Sequence, residues 1–294
     1  MGTRIDGKAL AAKTCESLQA VVGSLSKEGP APGLHVILVG DDPASRVYVG
    51  SKARKAESIG IRSELTVLPE GTSYGELEDR IGALNADESV DGILVQLPLP
   101  NLPTRDVLDL VAPEKDVDGF HPINAGLLLQ KRPRFVPCTP LGVLAMLDAY
   151  GVETSGKNAL VIGRSDIVGK PMGALLTHRN ATVTIAHSRT VDLEQQVGEA
   201  EILVVAMGRM RSVPARWIRP GATVIDVGIH RMEDKKLTGD VHPDGLEERA
   251  AFYTPVPGGV GPMTIAMLMV NTTLAAVLRR GGDPSLLSDL IPSV

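Results

Sequence analysis

The chain has 294 residues, 43% hydrophobic and 22% charged, which suggests about two domains of ordinary globular composition. Its 30 Lys and Arg against 35 Asp and Glu give a net charge of −5, which argues against broad binding of nucleic acid or anionic membrane. The two cysteines lie far apart and no CxxC or HExxH motif occurs, so neither a disulfide framework nor a metal site is expected.

The sequence predicts no membrane segment. The first ten residues, MGTRIDGKAL, contain no apolar core of signal-peptide length. The longest apolar stretch, 264–278, is interrupted by polar residues at 271–273 and falls short of the roughly 20 apolar residues that span a bilayer. We therefore expect a cytoplasmic protein.

The first half of the chain alternates helical and strand-like segments. Asp6 is a typical N-cap for a helix that Gly-Pro at 29–30 ends. The pattern predicts helices at 6–28, 43–60 and 74–85, alternating with strands at 34–40, 61–68 and 92–100. This order is typical of a mostly parallel sheet.

A second series follows a Pro-rich, irregular stretch at 112–139. Thr139-Pro140 is typical of a helix start. The pattern predicts a helix to about 150, strands at 159–163, 181–186, 201–208 and 222–228, a helix ending near 179, and a last apolar helix at 263–280. We expect an α/β protein of two open parallel-sheet domains: residues 1–139 completed by the returning helix 263–280, a Rossmann-like domain at 140–262, and a surface tail at 281–294.

The segment VIGRSDIVGKP, residues 161–171, follows a predicted strand and opens a helix, where a dinucleotide pyrophosphate binds in Rossmann folds. Gly163 allows a sharp turn and Gly169 allows close helix packing. The match to GxGxxG is imperfect because Ser165 replaces the second glycine, and the glycine spacing is one residue too long for a P-loop. A glycine-bearing turn that binds nothing is the alternative.

The end of the next strand indicates which dinucleotide would bind. NAD-binding proteins place an acid about 20 residues after the glycine loop to hold the ribose 2′-hydroxyl. Here strand 181–186 is followed by His187, Ser188 and Arg189, which favour a 2′-phosphate, and Arg164 could reach the same phosphate. The alternative is that Arg189 is a solvated surface charge.

Other candidate side chains lie in the first half. Tyr48 and Lys52 are four residues apart, so they share one face of the predicted helix 43–60. Taken alone, such a pair is more often plain surface. Gln96 is a polar residue near the end of a buried strand, where open α/β sheets bind ligands, although it could equally cap the strand.

Two irregular segments add weaker signals. In KDVDGFHP, Asp116 and Asp118 could bind a guanidine-like edge through two hydrogen bonds, or could simply form Asx turns. The loop PVPGGVGPMT, residues 255–264, could approach a ligand closely or serve as a hinge.

Taken together, these segments resemble the bifunctional methylenetetrahydrofolate dehydrogenase/methenyltetrahydrofolate cyclohydrolase family. The matching stretches are VGDDPASRVYVGSK, DGILVQLPLP, KDVDGFHPIN, PCTP, GRSDIVGKPM, VIDVG, GDV and TPVPGGVGPMT. They occur in the family's order from about residue 4 to about residue 280.

The resemblance implies a folate-binding catalytic domain at 1–139 and an NADP-binding domain at 140–262, with a cleft between them. It makes Lys52 the catalytic lysine, Gln96 the residue that tunes it, and Asp118 the carboxylate that holds the pterin ring. The implied substrate contacts are Tyr48, Lys52, Gln96, Asp118, Gly261 and Pro262. The implied NADP contacts are Gly163, Arg164, Ser165, Ser188 and Ile229. Arg189 is added as a candidate contact because it follows the predicted strand 181–186, next to Ser188.

The implied activity is NADP-dependent oxidation of 5,10-methylenetetrahydrofolate, followed by hydrolysis of the methenyl product to 10-formyltetrahydrofolate, in a homodimer. A monofunctional dehydrogenase is the alternative, with a silent NADP-binding regulator or a dehydrogenase for another substrate such as shikimate less favoured. The sequence departs from the family at His230, where Asn is frequent, and at the more basic segment 206–211.

Overall fold

The computed structural model describes residues Met1–Val294, which form two compact units. The three-stranded unit consists of Lys13–Cys138 and Ile265–Ile291. The six-stranded unit consists of Met1–Ala12, Thr139–Thr264 and Pro292–Val294.

The helices and strands alternate along most of the chain. In chain order they are β1 (Thr3–Arg4), α1 (Gly7–Glu28), β2 (Gly33–Val39), α2 (Pro43–Ile59), β3 (Arg62–Leu68), α3 (Tyr74–Ala86), β4 (Gly92–Val95), α4 (Thr104–Leu108), α5 (Pro122–Leu129), α6 (Cys138–Ala149), β5 (Asn158–Ile162), α7 (Gly169–His178), β6 (Thr182–Ala186), α8 (Leu193–Glu199), β7 (Ile202–Val205), β8 (Thr223–Asp226), β9 (His230–Arg231), β10 (Leu237–Thr238), α9 (Leu246–Arg249), β11 (Phe252–Tyr253) and α10 (Val260–Arg279).

The three-stranded unit is built on a parallel sheet in the order β3-β2-β4. All seven residues of the central strand β2 are buried, as its unbroken apolar sequence predicts for a strand covered on both faces. Side chains of β2, β4 and α3 form one apolar core that includes Ile37, Ile93 and Leu77. The outer edge of β3 pairs with no other strand.

The six-stranded unit is built on a fully parallel sheet in the order β1-β11-β8-β7-β5-β6. Strands β5, β6, β7 and β8 therefore all end at one edge, the position at which open α/β sheets bind ligands. A separate antiparallel pair, β9 and β10, follows β8. The expected α/β architecture with parallel sheets is confirmed.

The compact units differ from the predicted bounds at both ends of the chain. Residues Met1–Ala12 belong to the six-stranded unit, because β1 pairs with β11 through Thr3 and Phe252, whereas the sequence placed 1–139 together. The predicted surface tail also differs, since Leu287 is completely buried and lies in the three-stranded unit. A two-residue strand and a single apolar side chain leave no periodic pattern in the sequence.

Several helices and strands begin or end at other residues than the sequence predicts. Strand β4 ends at Val95 rather than at 100. Prolines 98 and 100 have no backbone N–H, so the segment after Gln96 is poorly suited to continue the strand. Strand β7 ends at Val205 rather than at 208. The stretch predicted as irregular contains α5, which begins with a proline after His121, whose Nδ1 accepts from the backbone N–H of Ile123.

Helix α10 is long and apolar enough, by length and composition, to cross a membrane, which corrects the expectation that this segment is too short. However, 78% of its apolar window is buried inside the protein. Its polar side chains are satisfied internally: Asn271 donates to the carbonyls of Val117 and Val136, and Thr272 donates to that of Leu268. These observations describe the core helix of a folded protein.

Candidate active site

Helix α2 carries Tyr48 and Lys52 on one face. The helix begins where the Asp42 carboxylate accepts from the backbone N–H of Ser45 at 2.8 Å, and Pro43 occupies its first position. Lys52 is only 5% exposed, and its Nζ lies 4.5 Å from the centroid of the Tyr48 ring. The pair is thus a contact between a buried lysine and the ring of a half-buried tyrosine, and not plain surface.

Gln96 is the first residue after β4, at the carboxyl end of the strand. Its Oε1 accepts from Lys52 Nζ at 3.0 Å, while its Nε2 donates to the carbonyl of Leu97 at 2.7 Å. Its backbone N–H donates to the carbonyl of Ile37 in the neighbouring strand. The backbone therefore fixes the side chain so that its oxygen faces the lysine.

Lys52 and Asp118 are electrostatically coupled. Burial lowers the pKa of Lys52, and the negative charge of Asp118 opposes that shift. Burial raises the pKa of Asp118 to about 6, and the charge of Lys52 opposes this second shift. Both groups therefore change protonation closer to neutrality than they would in water.

The two acids of KDVDG perform different tasks. The Asp116 carboxylate accepts from the backbone N–H groups of Gly119, Phe120 and His121 and from the side-chain amide of Asn124. Asp116 thus forms the turn, as the Asx alternative predicts for one of the pair. Asp118 makes no such set of backbone contacts and is coupled to the lysine.

Cys138 was not among the predicted site residues. Its buried thiol donates to the carbonyl oxygen of Val117 at 3.3 Å, next to Asp118 in the chain. Burial and the neighbouring Asp118 charge raise the pKa of this thiol, so it stays protonated. The only sequence signal was its place in PCTP, directly before a helix.

The glycine loop of the six-stranded unit connects β5 to α7. Gly163 has a φ of +129°, and a Cβ there would overlap the carbonyl oxygen of Ala206. A Cβ at Gly169 would overlap the carbonyl oxygen of Gly163. The Ser165 hydroxyl accepts from the N–H groups of Val168 and Gly169 at 3.2 and 3.3 Å. Ser165 thus supports the start of α7, and the packed glycines leave a cradle suited to a phosphate.

The remaining candidate nucleotide contacts lie at the same sheet edge. Arg164 and Ser165 follow β5, and Ser188 and Arg189 follow β6; all four are exposed. Ile229 follows β8 and is 62% exposed although it is apolar.

Two models of protein families match most of the chain. The first, described as "Tetrahydrofolate dehydrogenase/cyclohydrolase, catalytic domain", matches residues 5–118. The second, described as "Tetrahydrofolate dehydrogenase/cyclohydrolase, NAD(P)-binding domain", matches residues 137–280. The chain belongs to the tetrahydrofolate dehydrogenase/cyclohydrolase family.

Individual relatives agree with this membership. The "Bifunctional protein FolD" of Geotalea uraniireducens is 50% identical over 280 residues, which cover 95% of this chain and 100% of the relative. The bifunctional enzyme FolD of Campylobacter jejuni has a crystal structure with a TM-score of 0.93 at 46% identity, covering 95% of this chain and all of that one. The Trypanosoma brucei FolD, solved with NADP cofactor and inhibitor, gives a TM-score of 0.91 at 38% identity, with 95% and 98% covered.

As a member of this dehydrogenase/cyclohydrolase family, the chain is a bifunctional enzyme of tetrahydrofolate one-carbon metabolism. The monofunctional alternative loses its support, because the curated relatives at 50% and 52% identity over nearly the full chain are named bifunctional. The two matched ranges include both the glycine loop and the cluster of Tyr48, Lys52, Gln96 and Asp118 (the lysine cluster), which lie in different units.

The structure distributes the predicted site residues over both units of this family member. It brings Tyr48, Lys52, Gln96 and Asp118 together in the three-stranded unit. Gly261 and Pro262 belong to the first turn of α10 and not to the preceding loop, which corrects the predicted loop end.

Proposed function

We propose that Lys52, Gln96 and Asp118 are the catalytic residues of this enzyme, and that proton transfer by Lys52 belongs to the hydrolytic step. The observation that carries this proposal is the buried Lys52 Nζ, held at 3.0 Å by Gln96 Oε1 and lying 4.5 Å from the centre of the Tyr48 ring. A lysine withdrawn from water and fixed by a neutral acceptor is suited to proton transfer.

Folate binding uses the same cluster in this proposal. Burial raises the pKa of Tyr48 above its ordinary range, so its phenol stays neutral and offers a ring face for stacking. The Asp118 carboxylate accepts from the N–H edge of the pterin ring when it is ionised. Gly261 and Pro262, at the start of α10, complete the substrate contacts.

Lys52 acts as a general base in the hydrolytic step. Water attacks the methenyl carbon of 5,10-methenyltetrahydrofolate, a C–O bond forms, and the water proton passes to the neutral Lys52 amine. The bond from that carbon to N5 then breaks as the remaining hydroxyl proton leaves to water and the C=O bond of the formyl group forms. N5 takes the proton held by Lys52, which returns the amine to its neutral form, and 10-formyltetrahydrofolate results. Gln96 Oε1 accepts from the ammonium form, and the lowered pKa of Lys52 favours the neutral amine more than in water.

The oxidative step requires no general base, because a hydride leaves the methylene carbon and the two adjacent nitrogens stabilise the cation. Bound NADP supplies the hydride acceptor. The chain's own residues bind and orient: Gly163 allows close approach at the glycine loop, and Arg164, Ser188 and Arg189 suit a 2′-phosphate. Ser165 and Ile229 complete the proposed NADP contacts, and the absence of an acid after β6 favours NADP over NAD.

We assign the folate-binding catalytic domain to the three-stranded unit and the NADP-binding domain to the six-stranded unit. We also propose a cytoplasmic homodimer. Both cysteines are free, as a reducing compartment predicts. The unpaired edge of β3 exposes Leu65 and Val67 by 47% and 42%, which suits pairing with a second copy. Sedimentation should show a dimer that Val67→Lys weakens, and a monomeric wild-type enzyme would contradict this.

The decisive experiment mixes purified enzyme with 5,10-methylenetetrahydrofolate and either NADP or NAD. Absorbance of the reduced nicotinamide reports oxidation, and absorbance of methenyltetrahydrofolate reports the intermediate. We expect NADPH to form faster than NADH, with little methenyl compound accumulating. Accumulation of the methenyl compound would contradict an effective Lys52 base, and no turnover with either cofactor would overturn the proposed function.

A further inference from the structure

A buried aspartate connects two loops at the carboxyl edge of the six-stranded sheet. Asp240 is completely buried and accepts from the backbone N–H groups of Met207 (2.8 Å), Gly208 (2.9 Å) and Arg209 (2.8 Å). Its fourth donor is Nε2 of His230, at 2.7 Å from Oδ1. The carboxylate therefore fixes the loop after β7 and contacts one side chain from the segment after β8.

A second buried aspartate fixes Asp240 itself. Asp226, the last residue of β8, accepts from the backbone N–H groups of Gly228, Asp240 and Val241 at 2.9–3.0 Å. These bonds tie the Asp240 backbone to the end of the sheet. Asp240 thus cannot shift alone, and the orientation of its carboxylate sets the position of the loop that it holds.

His230 is the side chain that links this network to the proposed cofactor contacts. It directly follows Ile229, while Gly228 on the other side is bonded to Asp226. Ile229 is therefore held between two anchored neighbours. With Nε2 protonated, His230 donates to a carboxylate that has no exposure to water, a type of hydrogen bond stronger than one between neutral groups.

We infer that His230 is a positioning residue for NADP, acting through Asp240 to hold the loops after β7 and β8 in the arrangement that binds the nicotinamide nucleotide. The inference rests on the proposed NADP site at this edge. It assigns a role to His230 and to two aspartates, Asp226 of VIDVG and Asp240 of GDV. His230 touches no reacting group in this role.

The test compares two replacements of similar length. His230→Gln keeps an N–H donor that can reach Asp240, whereas His230→Met fills similar space without one. We expect His230→Met to raise the KM for NADP about tenfold, as loss of a hydrogen bond to a charged group predicts. The kcat at saturating NADP should stay within about twofold, and His230→Gln should stay near wild type.

Two controls distinguish positioning from general structural support. Cyclohydrolase activity, assayed from methenyltetrahydrofolate without nucleotide, should be unchanged in both variants. His242→Ala removes a more exposed histidine of the same unit, 3.8 Å from the exposed Asp244, and should leave the KM for NADP unchanged.

An unchanged KM in His230→Met would overturn the inference. An equal rise in the KM for NADP in His230→Gln and His230→Met would also overturn it. A loss of cyclohydrolase activity in parallel with the rise in KM, or a His230→Met protein that fails to fold, would do the same, because each result indicates that His230 supports the fold in general. A wild-type enzyme that does not reduce NADP would instead overturn the proposed function, which separates the two failures.

Discussion

The lysine cluster of the three-stranded unit and the glycine loop of the six-stranded unit are built in opposite ways. Side chains form the first: Lys52 and Gln96 are buried, and Lys52 contacts both Gln96 and the half-buried Tyr48. Backbone forms the second: Gly163 and Gly169 pack where no side chain fits. Reactivity therefore depends on burying ionisable groups, whereas dinucleotide binding depends on excluding side chains.

This difference predicts different responses to substitution. Removing a functional group at the lysine cluster should affect chemistry more than folding, because the helix and strand that carry it stay intact. Adding a single methyl group at the glycine loop should affect binding and folding together, because the backbone must move.

Substitution of Lys52 should have the largest effect on activity. Lys52→Met should reduce cyclohydrolase kcat by about 10² or more, since it removes the general base, while some dehydrogenase activity persists because hydride transfer needs no base. Assays starting from the methenyl and the methylene substrates separate the two steps. Lys55→Met, on the same helix, is the matched control and should behave as wild type. Equal retention of both activities in Lys52→Met would remove the lysine from the mechanism.

Gly163→Ala should have the next largest effect. The new Cβ would overlap the carbonyl oxygen of Ala206 at a φ of +129°, so we expect a loss of roughly 1–3 kcal/mol in unfolding free energy and a more than tenfold rise in the KM for NADP. Denaturant titration and steady-state kinetics measure these changes. Gly198→Ala in α8 meets its nearest atom at an ordinary 3.5 Å and should be neutral or stabilising. A Gly163→Ala enzyme with a normal KM for NADP would contradict the proposal that the glycine loop binds a phosphate of NADP.

Substitution of Arg189 should affect NADP and NAD differently. Arg189→Ala should raise the KM for NADP about tenfold and leave the KM for NAD unchanged, because only NADP carries a 2′-phosphate. Arg216→Ala, an exposed arginine of the same unit, supplies the comparison. A parallel change with both cofactors would show that Arg189 does not contact the 2′-phosphate.

The smallest effect is a pH dependence of folate binding. Burial raises the pKa of Asp118 to about 6, so the carboxylate gains a proton as the pH falls through that value. If the ionised form binds the pterin, the KM for folate should rise about fourfold between pH 7 and pH 5.5. Asp118→Asn should have a high KM with little of this dependence, whereas the exposed Asp79→Asn should keep it. A flat profile in the wild-type enzyme would contradict the role of Asp118.

Sequence patterns predicted the elements that carry these sites. The continuous apolar run of β2 and the Asp42-Pro43 start of α2 are local signals, and they set Tyr48 and Lys52 on one helical face. The contact of Lys52 with Gln96 joins residues from different elements, which no periodicity specifies. Only the resemblance of whole motifs to a family predicted that Lys52 and Gln96 belong to one site.

The features that sequence reasoning missed depend on long-range pairing. Cys138 reaches the carbonyl of Val117, next to Asp118, only after the chain has folded back. Asp240 binds the loop after β7 through backbone N–H groups, whose positions leave no trace in residue type. The two-residue strand β1 is identified as a strand only by its partner β11.

The pairing of Thr3 with Phe252 also bears on how the chain is made. Strand β1 is synthesised long before its partner β11, so this edge of the sheet can form only after residue 252 has been made. Helix α10, whose residues from Ile265 onward complete the other unit, emerges later still. The three-stranded unit can therefore be completed only after α10 is made, and a translation product that stops before β11 would leave both units incomplete, exposing apolar surface to chaperones and proteases.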